Sequence, residues 1–123
     1  MSSNPVGWFE IYVQDMTRAK AFYESVFKVK LEHLPSPEIE MWAFSMDMEK
    51  PGAPGAIVKV PGCPSGGNST LVYFSCKDCA FEEARVKAAG GKLHRSKLSI
   101  GEYGFITLAL DPEGNMFGLH SMR

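Results

Sequence analysis

The sequence predicts an α+β fold in which two tandem βαβββ modules form one curved, mostly antiparallel sheet of eight strands. Three observations support this prediction: short segments in which apolar and polar residues alternate, two stretches with apolar residues at helical spacing, and a second half that repeats the order of the first after about 62 residues. The length of 123 residues suits a single domain. We place the first module at about 7–60, a linker at about 61–69 and the second module at about 70–121.

The first module opens with a strand over residues 8–13, in which side chains of different character alternate along the chain. Asp15 or Thr17 can cap the helix that follows, because either side chain can accept a hydrogen bond from the first turn. The apolar stripe of this helix ends near residue 27. The other strands of this module are predicted at 29–32, 41–46 and 55–60.

The second module follows a linker whose Pro and Gly residues break both helices and strands. Its first strand covers 71–76, and Asp78 has the capping position that Asp15 has in the first module. Gly90 can close the second helix, because glycine readily adopts the left-handed conformation. We expect the two helices to cover the outer face of the sheet. The remaining strands are predicted at 92–95, 105–110 and 116–120.

Composition and charge exclude several classes of protein. The formal net charge of −1 and the scattered Lys and Arg residues argue against nucleic-acid binding. No apolar run approaches the roughly 20 residues that cross a bilayer, so we expect no membrane partner. Residues 1–5 lack the basic and apolar regions of a secretory signal. Three cysteines cannot all pair within the chain, which favours a reducing, cytoplasmic location.

Cys76 and Cys79 form a CxxC motif, which has three interpretations. A structural zinc site would need two more ligands, and Cys63 and the three histidines are scattered along the chain. A redox motif would lie at the start of a helix after a strand, and this motif partly does. Cys76 also falls on the apolar alternation of its strand, so we expect it to pack as a small hydrophobic side chain.

Four segments, taken in order, carry a resemblance to a known family. They are Phe9–Phe27, Ala88–Lys92, Gly101–Phe105 and Asp111–Asn115. Together they resemble the glyoxalase/bleomycin-resistance/extradiol-dioxygenase superfamily, the vicinal-oxygen-chelate proteins, and in particular bacterial proteins related to lactoylglutathione lyase. The resemblance covers residues 8–121 and implies the glyoxalase/bleomycin-resistance fold, which has the doubled βαβββ plan that the repeat predicts.

The resemblance also implies where metal ligands would lie. Members that use a metal place one ligand on the first strand and one on the last strand of each module. The corresponding positions in this sequence are Trp8, Lys59, Leu71 and Gly118. None of them carries the imidazole or carboxylate that divalent metals need in such sites. Even if the alignment to the superfamily is shifted by two residues, the ligand positions gain only two good donors, Glu10 and His120. We therefore expect no metal cofactor.

The strand face opposite the core is expected to line a concave pocket. The core face should carry Phe9, Ile11, Val13, Phe117 and Leu119. The residues of opposite parity are Trp8, Glu10, Tyr12, Ile57, Lys59, Leu71, Tyr73, Ser75, Met116, Gly118 and His120. This set combines aromatic and apolar groups with a few polar ones, which is typical of a small-molecule pocket. Tyr103 is a further candidate, because its glycine-flanked segment could form a turn or lid over the pocket.

Glu10 is the most informative member of this set, since a carboxylate on an otherwise apolar strand needs a partner. Lys59 and His120 are candidate partners across the pocket. In one interpretation Glu10 accepts a proton and His120 is a second acid/base group. In the other interpretation Glu10 is a structural carboxylate that is bonded to Tyr73 or paired with Lys59.

Three functions remain open at this point. The first is a glyoxalase-related lyase or isomerase that acts on a small metabolite without a metal. The second is a metal-free binding protein that sequesters a planar or hydrophobic compound, as bleomycin-resistance relatives do. The third is a protein kept for its interaction with a partner. The resemblance implies a small-molecule ligand and a symmetric homodimer.

Overall fold

The computed structural model describes residues 8–37, 39–47, 49–67 and 70–123. Within them lie the helices α1 (Met16–Phe27) and α2 (Cys79–Val86) and a short 3-10 helix, Gly101–Tyr103. The strands of the first half are β1 (Phe9–Tyr12), β2 (Glu32–His33), β3 (Glu40–Ala43) and β4 (Gly55–Lys59). The strands of the second half are β5 (Tyr73–Ser75), β6 (Lys92–Ser99), β7 (Phe105–Leu110) and β8 (Met116–Ser121).

The strands form two four-stranded sheets with the orders β1-β4-β3-β2 and β5-β8-β7-β6. In each sheet the first pair is parallel and the other two pairs are antiparallel. The edge strands β1 and β5 face each other across a gap, where the ring centroids of Phe9 and Phe74 are 5.8 Å apart. The predicted α+β fold with a repeated βαβββ order is confirmed. Its eight strands are divided between two mixed sheets that do not close into a barrel.

Both helices begin at the predicted aspartates. Asp15 and Asp78 accept hydrogen bonds from first-turn backbone N–H groups at 3.1 and 3.0 Å, and Asp15, not Thr17, is the cap of α1. Gly90 has a φ of 102°, the left-handed conformation that the sequence predicts after the second helix. In the part of the chain that the structure describes, no helix has the length and apolar character needed to span a membrane.

One hydrophobic core joins both helices and both sheets. Its centre is a group of aromatic rings with centroid distances of 5.0 to 6.3 Å between neighbours, formed by Phe22, Tyr23, Phe74 and Phe117. Burial of one such side chain contributes about 1.5 to 3 kcal/mol, so a shared cluster binds the two halves together. The predicted core face is confirmed for Phe9, Ile11, Val13, Phe117 and Leu119.

The predicted face of β4 is wrong. Ile57 pairs with Ile11 in the parallel β1–β4 ladder and is fully buried in the core, so it does not face a pocket. Ala56 and Val58 lie on the face away from the helices and are buried as well. Because β4 is buried on both faces, its sequence lacks the alternation from which a face can be read. Lys59 has the parity of Ile57 and lies exposed at the end of the strand.

The turn between β7 and β8 connects the second half to the first. The Glu113 side chain is only 3% exposed, and its Oε1 accepts a hydrogen bond from Arg18 at 2.8 Å. Its Oε2 accepts hydrogen bonds from the backbone N–H groups of Gln14 and Asp15 at 3.1 and 2.5 Å. The turn therefore places a carboxylate at the N-terminus of α1, where the helix dipole favours a negative charge. Gly114 has a φ of 84°, as the turn prediction requires.

Two buried side chains of the same turn extend this connection. Asp111 accepts hydrogen bonds from the Tyr23 hydroxyl at 2.8 Å and from the Asn115 amide at 3.0 Å. Asn115 also donates to the backbone carbonyl of Tyr12 at 2.9 Å and accepts from the backbone N–H of Gly66 at 2.7 Å. Burial and, after it, the Asp111 carboxylate raise the pKa of Tyr23 well above its usual value. The turn thus fixes β1, α1 and the segment after β4 relative to one another.

Candidate functional site

Two cavities open along the gap between β1 and β5. Their volumes are about 720 and 400 Å³, within or close to the range of small-molecule sites. Glu10, Thr70 and Val72 line both cavities, so Glu10 lies where the two meet. The lining of the larger cavity also includes Trp8, Leu71, Tyr73 and Ser75. The lining of the smaller cavity also includes Tyr12, Tyr23, Pro64, Gly66 and Met116.

Glu10 is held by the two residues that flank it on the same face of β1. The Trp8 indole Nε1 donates to Glu10 Oε2 at 3.2 Å, and the Tyr12 hydroxyl donates to Oε1 at 3.0 Å. Residues two apart on a strand point to the same side, so one strand supplies both the carboxylate and its donors. The hydrogen bond to Glu10, and then the charge of Glu10, raise the pKa of Tyr12. Each carboxylate oxygen has a second lone pair and can accept a further bond.

Three aromatic side chains beside the cavities are unusually open to solvent. The exposed fractions are 38% for Trp8, 36% for Tyr12 and 46% for Tyr73. Tyr73 pairs with Gly118 across the parallel β5–β8 ladder, and its ring fills the space that a side chain at position 118 would need. The room that Gly118 was expected to leave for a ligand is therefore taken by this ring. The exposed faces of the three rings remain available to a planar ligand.

The structure brings many predicted site residues to the two cavities: Trp8, Glu10, Tyr12, Leu71, Tyr73, Ser75 and Met116. His120 and Gly118 lie on the same face of β8 as Met116 but line neither cavity. Lys59 also lines neither cavity, because its side of β4 is the core side. The predicted bonds from Glu10 to Tyr73 or Lys59 are wrong, since the carboxylate accepts from its neighbours on β1.

Sequence reasoning missed the contribution of the loops. Pro64 and Gly66, which follow β4, and Thr70 and Val72, which precede β5, all line a cavity. Such residues carry no periodic signal that assigns them to one face of a sheet. The backbone of Tyr103 belongs to the 3-10 helix, but its side chain lies outside the described part of the structure. Its predicted ligand role stays a prediction.

The CxxC motif packs against the core. Cys76 is half-buried, and burial together with the nearby Glu82 raises the pKa of its thiol to about 12. Cys79 is fully buried at the start of α2, and its backbone N–H donates to Ser121 Oγ at 3.0 Å. Both thiols are free. A pKa this high disfavours the thiolate that redox chemistry requires, which supports the packing interpretation of Cys76.

The strands that would carry metal ligands supply few donors. Over the described ranges, no three His, Cys, Asp or Glu side chains come together in a way that could hold an ion. With the observed register, the outward positions of β4 are Ala56 and Val58, and neither is a donor. Glu10 on β1 and His120 on β8 are the remaining carboxylate and imidazole. One carboxylate and one imidazole do not fit the divalent ion that some vicinal-oxygen-chelate proteins bind.

The sequence and the structure were compared with those of known proteins. The glyoxalase/bleomycin resistance protein/dioxygenase superfamily matches residues 6–119. No curated protein is significantly similar in sequence. Glyoxalase I from Zea mays has a similar structure, with a TM-score of 0.74 and 20% identity over 95% of this chain and 46% of the maize chain. The chain thus spans about half the length of the maize enzyme.

Two further solved structures are similar along most of their own length. An antibiotic binding protein from Streptomyces has a TM-score of 0.70 and 24% identity, over 100% of this chain and 99% of its own. A glyoxalase-related enzyme from Fulvimarina pelagi has a TM-score of 0.71 and 19% identity, over 97% of this chain and 88% of its own. At these identities the likeness shows a shared fold.

Proposed function

The chain belongs to the glyoxalase/bleomycin resistance protein/dioxygenase superfamily, and we propose that it binds a small planar molecule between β1 and β5 without transforming it. The observation that carries the proposal is the exposed aromatic surface of Trp8, Tyr12 and Tyr73 around the two cavities. Aromatic faces bind planar ligands by stacking and apolar contact. The antibiotic binding protein from Streptomyces, which has the same fold and length, is consistent with this role.

A thermal-shift assay with acridine, a planar aromatic compound, tests this proposal. We expect acridine to raise the unfolding temperature. A ligand that binds only the native state stabilises that state by about 2.7 kcal/mol when its concentration is about a hundred times its Kd. Tyr73→Leu should weaken acridine binding, since it removes a stacking face. Phe81→Leu is the matched control, because Phe81 is 65% exposed on α2 and lines neither cavity. Equal acridine binding by the wild type and Tyr73→Leu, or no shift with any planar aromatic probe, contradicts the proposal.

We propose that this binding needs no metal. A divalent ion needs several oxygen or nitrogen ligands, and Glu10 is the sole acidic side chain among the described residues that line the cavities. Dialysis against EDTA should leave the acridine-dependent shift unchanged. Stoichiometric zinc, nickel, manganese or iron in the purified protein, measured by mass spectrometry, would contradict a metal-free site.

A lyase or isomerase activity is the second candidate, and the position of Glu10 favours it. The carboxylate faces both cavities, so it could accept a proton from a bound metabolite. His120, the other predicted acid/base group, lines neither cavity, which is why binding is the first proposal. Turnover of the hemithioacetal of methylglyoxal and glutathione, lost in Glu10→Gln but kept in Glu40→Gln, would establish the enzyme instead of the binding protein.

We also propose a symmetric homodimer, with the face of the second sheet that points away from the helices as the contact surface. Ile106, Leu108 and Leu110 are partly exposed on β7, and Leu108 lies opposite Gly118 on that face. Apolar surface of this kind is typical of protein contacts. Light scattering should give the mass of a dimer, and Leu108→Glu should give a monomer; a monomeric wild type contradicts the proposal.

The three free thiols support a reducing, cytoplasmic location.

A further inference from the structure

We propose that the ligand of these cavities carries a positive charge, as a protonated amine or an aromatic cation joined to a planar apolar body. The inference rests on the proposed binding function and adds the chemical class of the ligand. Its basis is the juxtaposition of the Glu10 carboxylate with the exposed rings of Trp8, Tyr12 and Tyr73, in cavities whose described lining has no cationic side chain.

The charge of the cavity lining favours a cation. Glu10 is the single charged side chain among the described residues that line either cavity. Lys50 lies next to segment 51–53 of the larger cavity, but its Nζ is 3.9 Å from Asp47 Oδ2, so this loop adds no net positive charge. A carboxylate between partly apolar walls attracts a cationic ligand more strongly than it would in open water, and it repels an anion.

The carboxylate is positioned to receive that cation. Glu10 is exposed on β1, and the donors on its two sides, Trp8 and Tyr12, hold each oxygen with one hydrogen bond. The second lone pair of each oxygen can accept an N–H from a ligand ammonium group. Hydrogen bonds between two charged groups are shorter and stronger than those between neutral ones. A neutral isostere of the same shape would lose this advantage.

The aromatic rings add a second attraction. The indole N–H of Trp8 and the hydroxyl of Tyr12 turn ring edges towards Glu10, so the planar body of a ligand held by the carboxylate can extend over the exposed ring faces. These faces carry partial negative charge and attract a delocalised aromatic cation stacked on them, most strongly at Trp. Tyr73 supplies exposed ring surface from the opposite strand of the gap.

The same chain contains a second Glu–Trp pair, and there a lysine supplies the cation. On β3 the Trp42 indole donates to Glu40 Oε2 at 3.3 Å, as Trp8 does to Glu10 on β1. Lys20 Nζ lies 4.6 Å from the centroid of the Trp42 ring, in a cleft that Glu40 also lines. Within the described ranges no Lys or Arg lies over Trp8. The two sites share the indole–carboxylate bond. Lys20, which pairs with Glu24 at 3.3 Å, lies over the Trp42 ring, whereas a cation over Trp8 would come from the ligand.

Three probes of similar shape and different charge test the inference: 9-aminoacridine, a cation at neutral pH; acridine, which is neutral; and 9-anthracenecarboxylate, an anion. We expect fluorescence titration to show 9-aminoacridine binding about threefold to fivefold more tightly than acridine, because an ion pair with an exposed carboxylate contributes up to about 1 kcal/mol. The anion should bind most weakly. The preference for the cation should decrease as salt is added.

Glu10→Gln should reduce the preference for 9-aminoacridine over acridine to less than about twofold. Glu40→Gln is the matched control, because it removes one negative charge and the same kind of Glu–Trp bond outside both cavities. Equal affinity of the wild type for 9-aminoacridine and acridine overturns the inference and leaves the binding function intact. An equal loss of preference in both variants also overturns it. If none of the three probes binds, the proposed function fails and the inference fails with it.

Discussion

The two halves of the molecule pair their strands in the same way, and in each an aromatic ring covers a glycine of the neighbouring strand, but the two rings face opposite sides. In the first half Phe9 of β1 pairs with Gly55 of β4, and its ring packs against the core. In the second half Tyr73 of β5 pairs with Gly118 of β8, and its ring is 46% exposed beside the larger cavity. In both pairs the ring fills the space that a side chain on the glycine would need. One local arrangement thus serves packing in one half and an open surface in the other.

The halves also differ in how their helices are anchored. The N-terminus of α1 is bound from across the molecule by Glu113 of the β7–β8 turn. The N-terminus of α2 is bound from within its own half, where Lys97 Nζ lies 2.7 Å from Asp78 Oδ1. The segment 111–115 is one of the four that carry the family resemblance, and its contacts identify it as a connection between the halves.

Asp111→Ala should cause the largest loss of stability. It leaves the buried Tyr23 hydroxyl without its partner and removes an acceptor of the Asn115 side chain and of two backbone N–H groups. An unpaired buried polar group costs about 1 to 3 kcal/mol, so we expect a loss of about 3 kcal/mol or more in urea unfolding. Asp78→Ala, which removes the local anchor of α2, should cost much less. Similar losses in both variants would contradict the proposed difference in anchoring.

Glu113→Gln should reduce the free energy of unfolding by about 2 kcal/mol, because hydrogen bonds to a buried charged group are worth about 1.5 to 3 kcal/mol. Arg18→Met separates this effect from the ion pair. Arg18 is 51% exposed, and an exposed pair contributes at most about 1 kcal/mol. A larger loss for Arg18→Met than for Glu113→Gln in the same urea experiment would mean that the ion pair, and not the bonds to the backbone, anchors α1.

The two glycines should differ in their tolerance of alanine. At Gly55 the new methyl group would overlap the ring of Phe9, which contacts Phe44 and Phe74 in the core, so we expect a loss of about 1 to 3 kcal/mol. At Gly118 it would overlap Tyr73, which can swing towards solvent at a lower cost. Thermal unfolding measures both. A greater loss for Gly118→Ala would show that the Tyr73 ring is fixed in its position.

The sequence predicted those features that depend on near neighbours. The helix starts at Asp15 and Asp78 were found because a capping side chain bonds to its own first turn. The face of β8 was found because its core side and its outer side differ in composition, and the face at Ile57 was missed because β4 is buried on both sides. The role of Glu113 was missed because its partners lie 95 to 99 residues away in the sequence.

At the site, too, the sequence predicted local relations between residues but not contacts between distant strands. Alternation along β1 correctly placed Trp8, Glu10 and Tyr12 on one face, which already contained the donors that Glu10 uses. The partner was nevertheless expected across the pocket, at Lys59 or His120, because a charge in an apolar strand suggests an ion pair. Strand parity predicts which side chains share a face of one strand. Whether a residue on another strand comes close enough to pair depends on how the two sheets are arranged, and that is set by the whole fold.

The titration of Tyr12 gives the smallest effect and tests the geometry at the centre of the site. The hydrogen bond to Glu10 and the charge of Glu10 raise the pKa of the Tyr12 hydroxyl, because ionisation would lose the bond and place two negative charges together. Glu10→Gln should therefore lower the pKa of Tyr12 towards its ordinary value, as measured by NMR on tyrosine-labelled protein. Tyr23 is the internal control, since burial and Asp111 raise its pKa. An unchanged pKa of Tyr12 would mean that the carboxylate is not beside this hydroxyl, which would remove the basis for a cation site on β1.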